Sequence, residues 1–584
     1  MITRTTAQRA LARLLAGLAL ALPLWGAQAQ TARPAYGLIV KLKDAPSHES
    51  LQALAQGTTQ QRLQQVLAAA GVTPSRLRPV GRAAQRLDFG RVLGGAEAAT
   101  LAAKLRERPE VAWAVPNERE RRLQLVPDDP CYPNTPGSNC PWSTGQWWLH
   151  PVSGSNANVL KDRLRGVPGV QSAWAIEFGR WRAVIAVLDT GITAHPDLDA
   201  HVLPGYDFVS TVEYANDGTG RDADPSDPGD WVTQAEKSSN PLFADCEVAN
   251  SSWHGTDIAG IVAAVTDNAL GVAGVNRDGR VLPVRVAGKC GADVADIVDG
   301  MRWAAGLNVV GVPANPNPAR ILNISFGGDA PCNEAYQDAI DEIAAQKGAV
   351  VVAAAGNEHG NVTRPASCSG VVAVTALNRD GFKATYANFG PQVTVATVGG
   401  DYPGDGAWGA LLGDDGLLTL DNSGLQGPAS PTYSRLFGTS FAAPVAAGVV
   451  SLMLSANDQL TAAQIIAGVK LSARPHVTSP KIGLCSAQNP GRCLCTTTTC
   501  GAGILDAEEA LRYALNPTGY AVPARIAAVI DNPDVDAAVA LGNDLPPNPG
   551  SGGGGSSGGG GGGALGVAWL LGLALALGAL AKRR

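Results

Sequence analysis

The stretch Leu436-Phe-Gly-Thr-Ser-Phe-Ala-Ala-Pro-Val-Ala-Ala-Gly448 joins a turn to an apolar helix and places a serine at the junction. Gly438 supplies backbone freedom just before Ser440. Residues 441–454 are nearly all small or apolar, which predicts a buried helix. Pro444 is tolerated if it lies in the first turn, where backbone N–H groups have no intrahelical partner. Ser440 is then either an N-cap or a nucleophile, because a helix N-terminus favours the oxyanion that its attack would create.

The partners that a nucleophilic serine needs occur in three other stretches. One apolar strand ends at Asp189, His254 opens a second helix of small residues, and another apolar strand ends in Gly-Asn357. Taken singly, each residue is as consistent with a turn, a cap or a satisfied polar side chain. Taken together, in this order and with these flanks, the four residues resemble those of the subtilisin-like serine peptidases, the subtilase family.

The resemblance implies a role for each of the four. Ser440 would be the nucleophile, His254 its general base, and Asp189 the group that orients the imidazole. Asn357 would donate its side-chain N–H to the oxyanion, with the backbone N–H of Ser440 as second donor. An extended peptide would pair with two cleft segments as an added strand. In those segments the resemblance implies the substrate-binding residues Ser325, Phe326, Gly327, Ala354 and Gly356.

Two positions depart from the family pattern. Asp257 stands where relatives usually have a second histidine, three residues after His254. We expect this carboxylate to raise the pKa of His254 without removing activity. Phe441 stands where many relatives carry methionine after the nucleophile.

The amino-acid composition is that of a globular chain. Its 584 residues are 45% apolar and 16% charged, with a net charge of −6, which argues against a nucleic-acid partner. Residues 1–29 contain a basic start, an apolar run and an A-x-A site, which predict a signal peptide. Export permits disulfides, and the ten cysteines are even in number. Sequence proximity suggests Cys131–Cys140, Cys246–Cys290 and Cys332–Cys368, and leaves open the pairing of Cys485, Cys493, Cys495 and Cys500.

Two folded units are predicted after the signal peptide. Residues 30–122 show a β-α-β-β-α-β order typical of a small ferredoxin-like α+β module. The resemblance implies that this module is an inhibitory propeptide and therefore a partner of the catalytic unit; an ordinary binding domain is the alternative. In residues 123–515, buried apolar strands alternate with helices, which predicts an α/β catalytic domain. We expect a subtilisin-like, mostly parallel sheet flanked by helices.

The C-terminal region shows no such pattern. Residues 516–563 are predicted to be a linker, rich in Gly and Ser at its end. Residues 564–584 form an apolar run with a basic end, which suggests a membrane span. The arrangement resembles the GlyGly-type sorting tails of bacterial surface proteins, which implies attachment to the membrane until the tail is processed. We therefore expect a secreted or cell-surface location, in a bacterial-type envelope.

Two groups of acidic or polar residues suggest Ca²⁺, which prefers flexible sets of oxygen ligands. One lies on a Pro/Gly loop; a solvated acidic loop is its alternative. Its residues are Asp222, Asp224, Asp227 and Asp230. The resemblance implies a second site, with Asp197, Asp267 and Asn268 as ligands.

The sequence thus predicts an exported, monomeric, calcium-stabilised serine endopeptidase, made as a zymogen, that cleaves polypeptides through an acyl-enzyme. A catalytically silent subtilase-fold protein that binds peptides is the alternative. A lipase-type hydrolase is disfavoured because the sequence around Ser440 lacks the G-x-S-x-G elbow.

Overall fold

The computed structural model describes residues 35–43, 58–81, 84–91, 93, 95–118, 126–133, 135–153, 163–179, 183–542 and 544. The predicted signal peptide, the residues 123–125 near the expected maturation site and the predicted tail lie outside these ranges. The chain divides into two compact units, Met1–Gln124 and Leu125–Arg584.

The first unit contains a four-stranded sheet and two helices. In chain order its elements are β1 (Ala35–Leu42), α1 (Thr58–Ala70), β2 (Arg76–Val80), β3 (Ala84–Asp88), α2 (Gly95–Arg106) and β4 (Val111–Glu118). The sheet order is β2-β3-β1-β4, and all neighbours are antiparallel. Its core contains Leu38, Leu67 and Leu105. Along β4, Ala114 is buried while Trp113 and Val115 are about 40% exposed, so one face of this strand is apolar and open within the unit.

The second unit is built on a seven-stranded parallel sheet in the order β11-β10-β9-β8-β5-β7-β6. Its strands are β5 (Val184–Asp189), β6 (Tyr206–Asp207), β7 (Arg280–Arg285), β8 (Ile321–Ile324), β9 (Val350–Ala354), β10 (Val371–Leu377) and β11 (Val395–Val398). Successive residues alternate between two cores: Ile185 and Val187 belong to one, Ala186 and Leu188 to the other. Both faces are therefore buried, as parallel sheets require. The predicted α/β fold with a mostly parallel sheet is confirmed.

Helices cover both faces of this sheet. The helices of this unit are α3 (Val170–Ala173), α4 (Val212–Ala215), α5 (Gln234–Ser239), α6 (His254–Ala263), α7 (Val294–Ala304), α8 (Glu334–Lys347), α9 (Gly409–Leu412), α10 (Thr439–Ala456), α11 (Ala462–Ser472), α12 (Ala507–Leu515) and α13 (Pro533–Ala540). On one face, α10 packs against β8, β9, β10 and β11, and also against α6 and α12. On the other, α7 packs on β5 and β7, and α8 on β9. Among the described residues, α10 is long and apolar enough to cross a membrane, but it is a core helix here.

An antiparallel hairpin follows the sheet. It consists of β12 (Leu417–Asn422) and β13 (Pro431–Leu436), and β12 packs against α6. The sequence analysis missed this hairpin as well as the two-residue strand β6.

All ten cysteines form disulfides, with Cα–Cα distances between 4.9 and 5.4 Å. The three suggested pairs are present. The pairing left open is Cys485–Cys493 and Cys495–Cys500.

The compact part of the second unit continues beyond the predicted boundary at residue 515. In the segment expected to be a linker, α13 packs against α9, and Ile530, Val535 and Ala538 are buried. The carboxyl group of Asp544 is also buried. Part of the segment expected to be a linker at 516–563 therefore packs on the folded unit, through scattered apolar residues that no sequence period reveals.

Candidate active site

Asp189 is the last residue of β5, at the carboxyl edge of the sheet. Its side chain is 1% exposed. The Oδ1 atom accepts hydrogen bonds from the backbone N–H of Thr190 and from Nδ1 of His254, both at 2.8 Å. The Oδ2 atom is buried and has no partner among the described residues. The backbone bond fixes the carboxylate, so that it can orient the imidazole and stabilise its protonated form.

His254 is the first residue of α6, and its position depends on the two residues that flank it in the chain. Trp253 precedes it with φ 52°, a left-handed conformation that bulky residues rarely adopt, and its Nε1 donates to the carbonyl of Gly424 at 2.7 Å. Gly255 follows it, and a Cβ there would lie 2.0 Å from the carbonyl oxygen of Gly191. A larger residue at 255 would push the helix away from β5 and separate His254 from Asp189.

Ser440 is the second residue of α10, and Gly438 is the N-cap. The backbone N–H of Ser440 has no hydrogen-bond partner among the described residues. Pro444 lies beyond the first turn, which differs from our expectation, so it removes a bond that the carbonyl of Ser440 would have accepted. That carbonyl instead accepts from Oγ of Ser325 at 2.8 Å, which satisfies its hydrogen-bonding capacity.

The described contacts do not include a hydrogen bond between the Ser440 hydroxyl and His254. The adjacent ring of Phe441 lies edge-on to the imidazole, with ring centroids 5.7 Å apart. Serine–histidine contacts are often long without substrate and tighten in the Michaelis complex, so this geometry is compatible with proton transfer.

Asn357 is anchored with its donor group free. Its Oδ1 accepts from the backbone N–H and from Oγ1 of Thr439, both at 2.9 Å. Because a backbone N–H can only donate, these contacts fix which side-chain atom is oxygen. The Nδ2 group makes no hydrogen bond among the described residues. Asn357 thus has a donor available beside the nucleophile turn, as an oxyanion site needs.

Charges around His254 favour its protonated form. Burial of the imidazole opposes protonation, but the charge and hydrogen bond of Asp189 outweigh it, and Asp230 and Asp227 add to the effect, so the pKa of His254 is raised. Asp227 is linked to this site through Oγ1 of Thr190, which donates to its carboxylate at 2.6 Å.

The profile of the subtilase family matches residues 182–493, more than half of the 584 residues. The chain belongs to the subtilase family. This membership places it among the subtilisin-like serine endopeptidases.

Several known proteases are similar to this subtilase. An extracellular protease of Xanthomonas campestris is 38% identical over 429 residues, 73% of this chain; this chain spans 63% of that protein. An extracellular basic protease of Dichelobacter nodosus is 33% identical over 86% of this chain and 74% of its own. A solved protease structure from Pseudoalteromonas arctica has 39% identity and a TM-score of 0.55, and covers 67% of this chain and 99% of its own.

Asp257 is a buried carboxyl group on α6. It is 2% exposed, and its Oδ1 atom has no partner among the described residues. Burial raises its pKa well above the ordinary value, and the carboxylates of Asp421, Asp189, Asp227 and Asp230 raise it further. Folding therefore favours the uncharged form of Asp257. The charges that raise the pKa of His254 include those of Asp189, Asp230 and Asp227, and the expected effect of Asp257 stays a prediction.

The predicted substrate-binding residues lie at the ends of two adjacent strands, β8 and β9. Ser325 and Ala354 are buried, and the hydroxyl of Ser325 is committed to the Ser440 carbonyl. Phe326 packs against the core. Gly327 and Gly356 have no room for side chains: a Cβ at Gly327 would lie 2.1 Å from a backbone oxygen, and one at Gly356 2.3 Å from an amide nitrogen. These segments can therefore contact a peptide mainly through their backbone N–H and C=O groups.

The predicted ligands Asp197, Asp267 and Asn268 are near each other, but their side-chain oxygens do not converge on one point as expected. The Nδ2 group of Asn268 donates to Asp197 at 2.7 Å, so its oxygen faces away from that carboxylate. The carboxylates that gather are those of Asp128, Asp129 and Asp267, with oxygens within 4.8 Å of one another. Burial raises the pKa of Asp129 to about 7 and that of Asp197 to about 6. Such closely spaced oxygens suit Ca²⁺. The sequence analysis missed Asp128 and Asp129.

The acidic loop does not form a cluster. Asp222, Asp224 and Asp227 each accept a hydrogen bond from the backbone N–H two residues ahead, and both oxygens of Asp230 accept from Ser252. Among the described acidic side chains, these four do not form a group with oxygens within 4.8 Å. Three of these carboxylates bind their own turns and Asp230 binds Ser252, so the calcium site predicted on this loop stays a prediction. Asp227 and Asp230 also act on His254.

Proposed function

We propose that this subtilase is an exported serine endopeptidase that hydrolyses polypeptides through Asp189, His254 and Ser440. The observation that carries the proposal is the 2.8 Å hydrogen bond between His254 Nδ1 and Asp189 Oδ1 at the sheet edge. It leaves Nε2 of His254 as the basic atom. The free amide of Asn357 and the free N–H of Ser440 provide the two oxyanion donors.

In this mechanism, Nε2 of His254 takes the hydroxyl proton of Ser440 while Oγ attacks the peptide carbonyl. Nδ2 of Asn357 and the backbone N–H of Ser440 stabilise the negative oxygen, and the N-terminus of α10 favours the same charge. His254 then gives its proton to the leaving amine. A water molecule, activated by the same base, hydrolyses the acyl-enzyme and restores Ser440.

The first unit is proposed to be an inhibitory propeptide. It folds as a separate unit directly ahead of the catalytic unit, and its strand β4 has an apolar face with Trp113 and Val115 exposed within that unit. Self-cleavage near residue 123 would release it.

Export rests on the predicted signal peptide, and the two relatives named as extracellular proteases support it. The tail at 564–584 is proposed to hold the protein at the membrane until a cut in the Gly/Ser-rich region frees it.

Calcium binding is proposed at the loop that follows α6. Asp129 and Asp267 would supply carboxylate oxygens there, with Asp128 beside them and Asp197 and Asn268 supporting the loop. A divalent cation would offset the cost of burying Asp129 as an anion. It would stabilise the fold and take no part in the reaction.

Mass spectrometry of the secreted wild type and of a Ser440→Ala variant tests the proposal. We expect the wild type to begin near residue 123 and the variant to retain residues 30–122. A variant processed like the wild type, in a host lacking other proteases, would refute self-cleavage. A silent peptide-binding protein predicts no processing in either form.

A further inference from the structure

A network of buried charges reaches from Asp544 into the catalytic unit. Arg492 is its centre, and its side chain is 0% exposed. Its Nε and Nη2 atoms donate to the two carboxylate oxygens of Asp401, at 2.6 and 3.0 Å. Its backbone N–H and Nη1 donate to the carboxylate of Asp544, at 2.9 and 3.1 Å. The side chain of Asp401 is 0% exposed and that of Asp544 is 1% exposed, so solvent screens these charges little.

The backbone two residues before Asp401 contacts the turn that precedes Ser440. The carbonyl of Gly399 accepts from the backbone N–H of Gly438 at 3.0 Å and from the hydroxyl of Tyr386 at 3.0 Å. A Cβ at Gly399 would lie 2.5 Å from the carbonyl oxygen of Gly438. Since Gly438 is the N-cap of α10, a shift of residues 399–401 would also move the nucleophile and its oxyanion donor.

Asp544 is held from a second direction as well. Its Oδ1 accepts from the backbone N–H of Trp408 at 3.1 Å, and its carbonyl accepts from the N–H of Ala407 at 3.2 Å. Nε1 of Trp408 donates to the carbonyl of Gly542 at 2.9 Å. Without the charge of Asp544, the guanidinium of Arg492 would be paired with Asp401 alone. Its hydrogen bonds to residue 544 would then be neutral-acceptor bonds, and this change is more costly in a fully buried pair than in an exposed one.

We propose that Asp544 is a positioning residue for the nucleophile turn, acting through Arg492 and Asp401, and that the catalytic domain must be kept intact through Asp544 when the tail is removed. The positioning part rests on the proposed role of Ser440 as nucleophile. The processing part means that a productive cut lies C-terminal to Asp544.

Three single variants of the full chain test the positioning role. Asp544→Asn removes the charge, Asp544→Glu keeps it, and Asp531→Asn is the matched control. Asp531 lies in the same segment, is 43% exposed and pairs with Lys481 at 2.7 Å. The readout is the second-order rate at which a fluorophosphonate phosphonylates Ser440, with loss of fluoride, per folded molecule, at a temperature well below each variant's Tm.

We expect Asp544→Asn to react at least 10-fold more slowly than the wild type. Asp531→Asn should stay within twofold of it, and Asp544→Glu should recover part of the loss. An Asp544→Asn enzyme that reacts at the wild-type rate, or an equal loss in Asp531→Asn, would overturn the positioning role. A mature protein that is active but ends before residue 544, as mapped by mass spectrometry, would overturn the processing claim.

Hydrogen–deuterium exchange provides a second test that can be used even if the Asp544→Asn variant does not mature. In a Ser440→Ala background, where self-processing is removed from every sample, adding Asp544→Asn should speed exchange in residues 399–401 and 436–441 at least fivefold. Adding Asp531→Asn should leave these residues unchanged. Unchanged exchange with Asp544→Asn would refute the coupling. This readout needs no activity, so it separates a failure of the coupling from a failure of the proposed peptidase mechanism.

Discussion

Replacing Asn357 by Asp separates two functions of this side chain. The carboxylate keeps an acceptor for the two contacts from Thr439, both 2.9 Å long, so the turn should remain in place. The second side-chain atom changes from a donor to an oxygen, and the oxyanion loses one of its two donors. Loss of one such donor costs about 10²–10³ in kcat, or about 2.7–4 kcal/mol, a magnitude that comes from subtilisin itself. Charge repulsion adds to the loss, so we expect a fall of at least ~10³.

The assay should separate kcat from KM on enzyme whose propeptide has been removed in trans. Because the missing interaction is made only in the transition state, kcat should fall while KM changes little. Thr439→Ala is the comparison. It removes one of the two bonds to Asn357 Oδ1 and the acceptor of the Gly356 backbone N–H, each worth about 1 kcal/mol, and should cost at least about fivefold in kcat. An Asn357→Asp enzyme with kcat within fivefold of the wild type, or a loss confined to KM, would refute the oxyanion role.

Three further predictions concern charge. Asp257→Asn, in an inactive Ser440→Ala background, should gain stability over its parent as pH rises above about 4. Above that pH the unfolded chain ionises this carboxyl while folding keeps its pKa raised, so ionisation favours unfolding of the parent. Thermal unfolding at several pH values that gives parallel curves would contradict this. Asp230→Asn removes a negative charge that raises the pKa of His254, so the acid limb of kcat/KM should move to lower pH, and by less in high salt. An unmoved limb would contradict an effect of this charge on His254. Chelation of Ca²⁺ should lower the Tm of the wild type, and a smaller drop is expected in Asp129→Asn; equal drops would place the ion elsewhere.

The fold could be read from the sequence because its elements carry strong local patterns. Buried parallel strands are continuous apolar runs, and α10 is a long series of small and apolar residues. The hairpin and β6 were missed because they are short or partly polar. The segment before Asp544 was taken for a linker because its burial depends on α9 and Arg492, which are distant in sequence.

The candidate site was partly predictable for the same reason. Asp189 and His254 begin or end elements, so the topology alone brings them to one edge. The ligands proposed for calcium were not predictable, because Asp129 contacts a loop 138 residues away and side-chain direction decides which oxygens converge. The state of Asp257 was missed because its pKa depends on burial, which the helix pattern does not reveal.

The most direct test of the mechanism is the mass of the mature protein after reaction with a fluorophosphonate. We predict one adduct per molecule, mapped to Ser440, and no adduct in Ser440→Ala or His254→Ala. A wild-type protein that is folded and mature but stays unlabelled, or that carries the adduct on another residue, would contradict the assignment of Ser440 as the nucleophile.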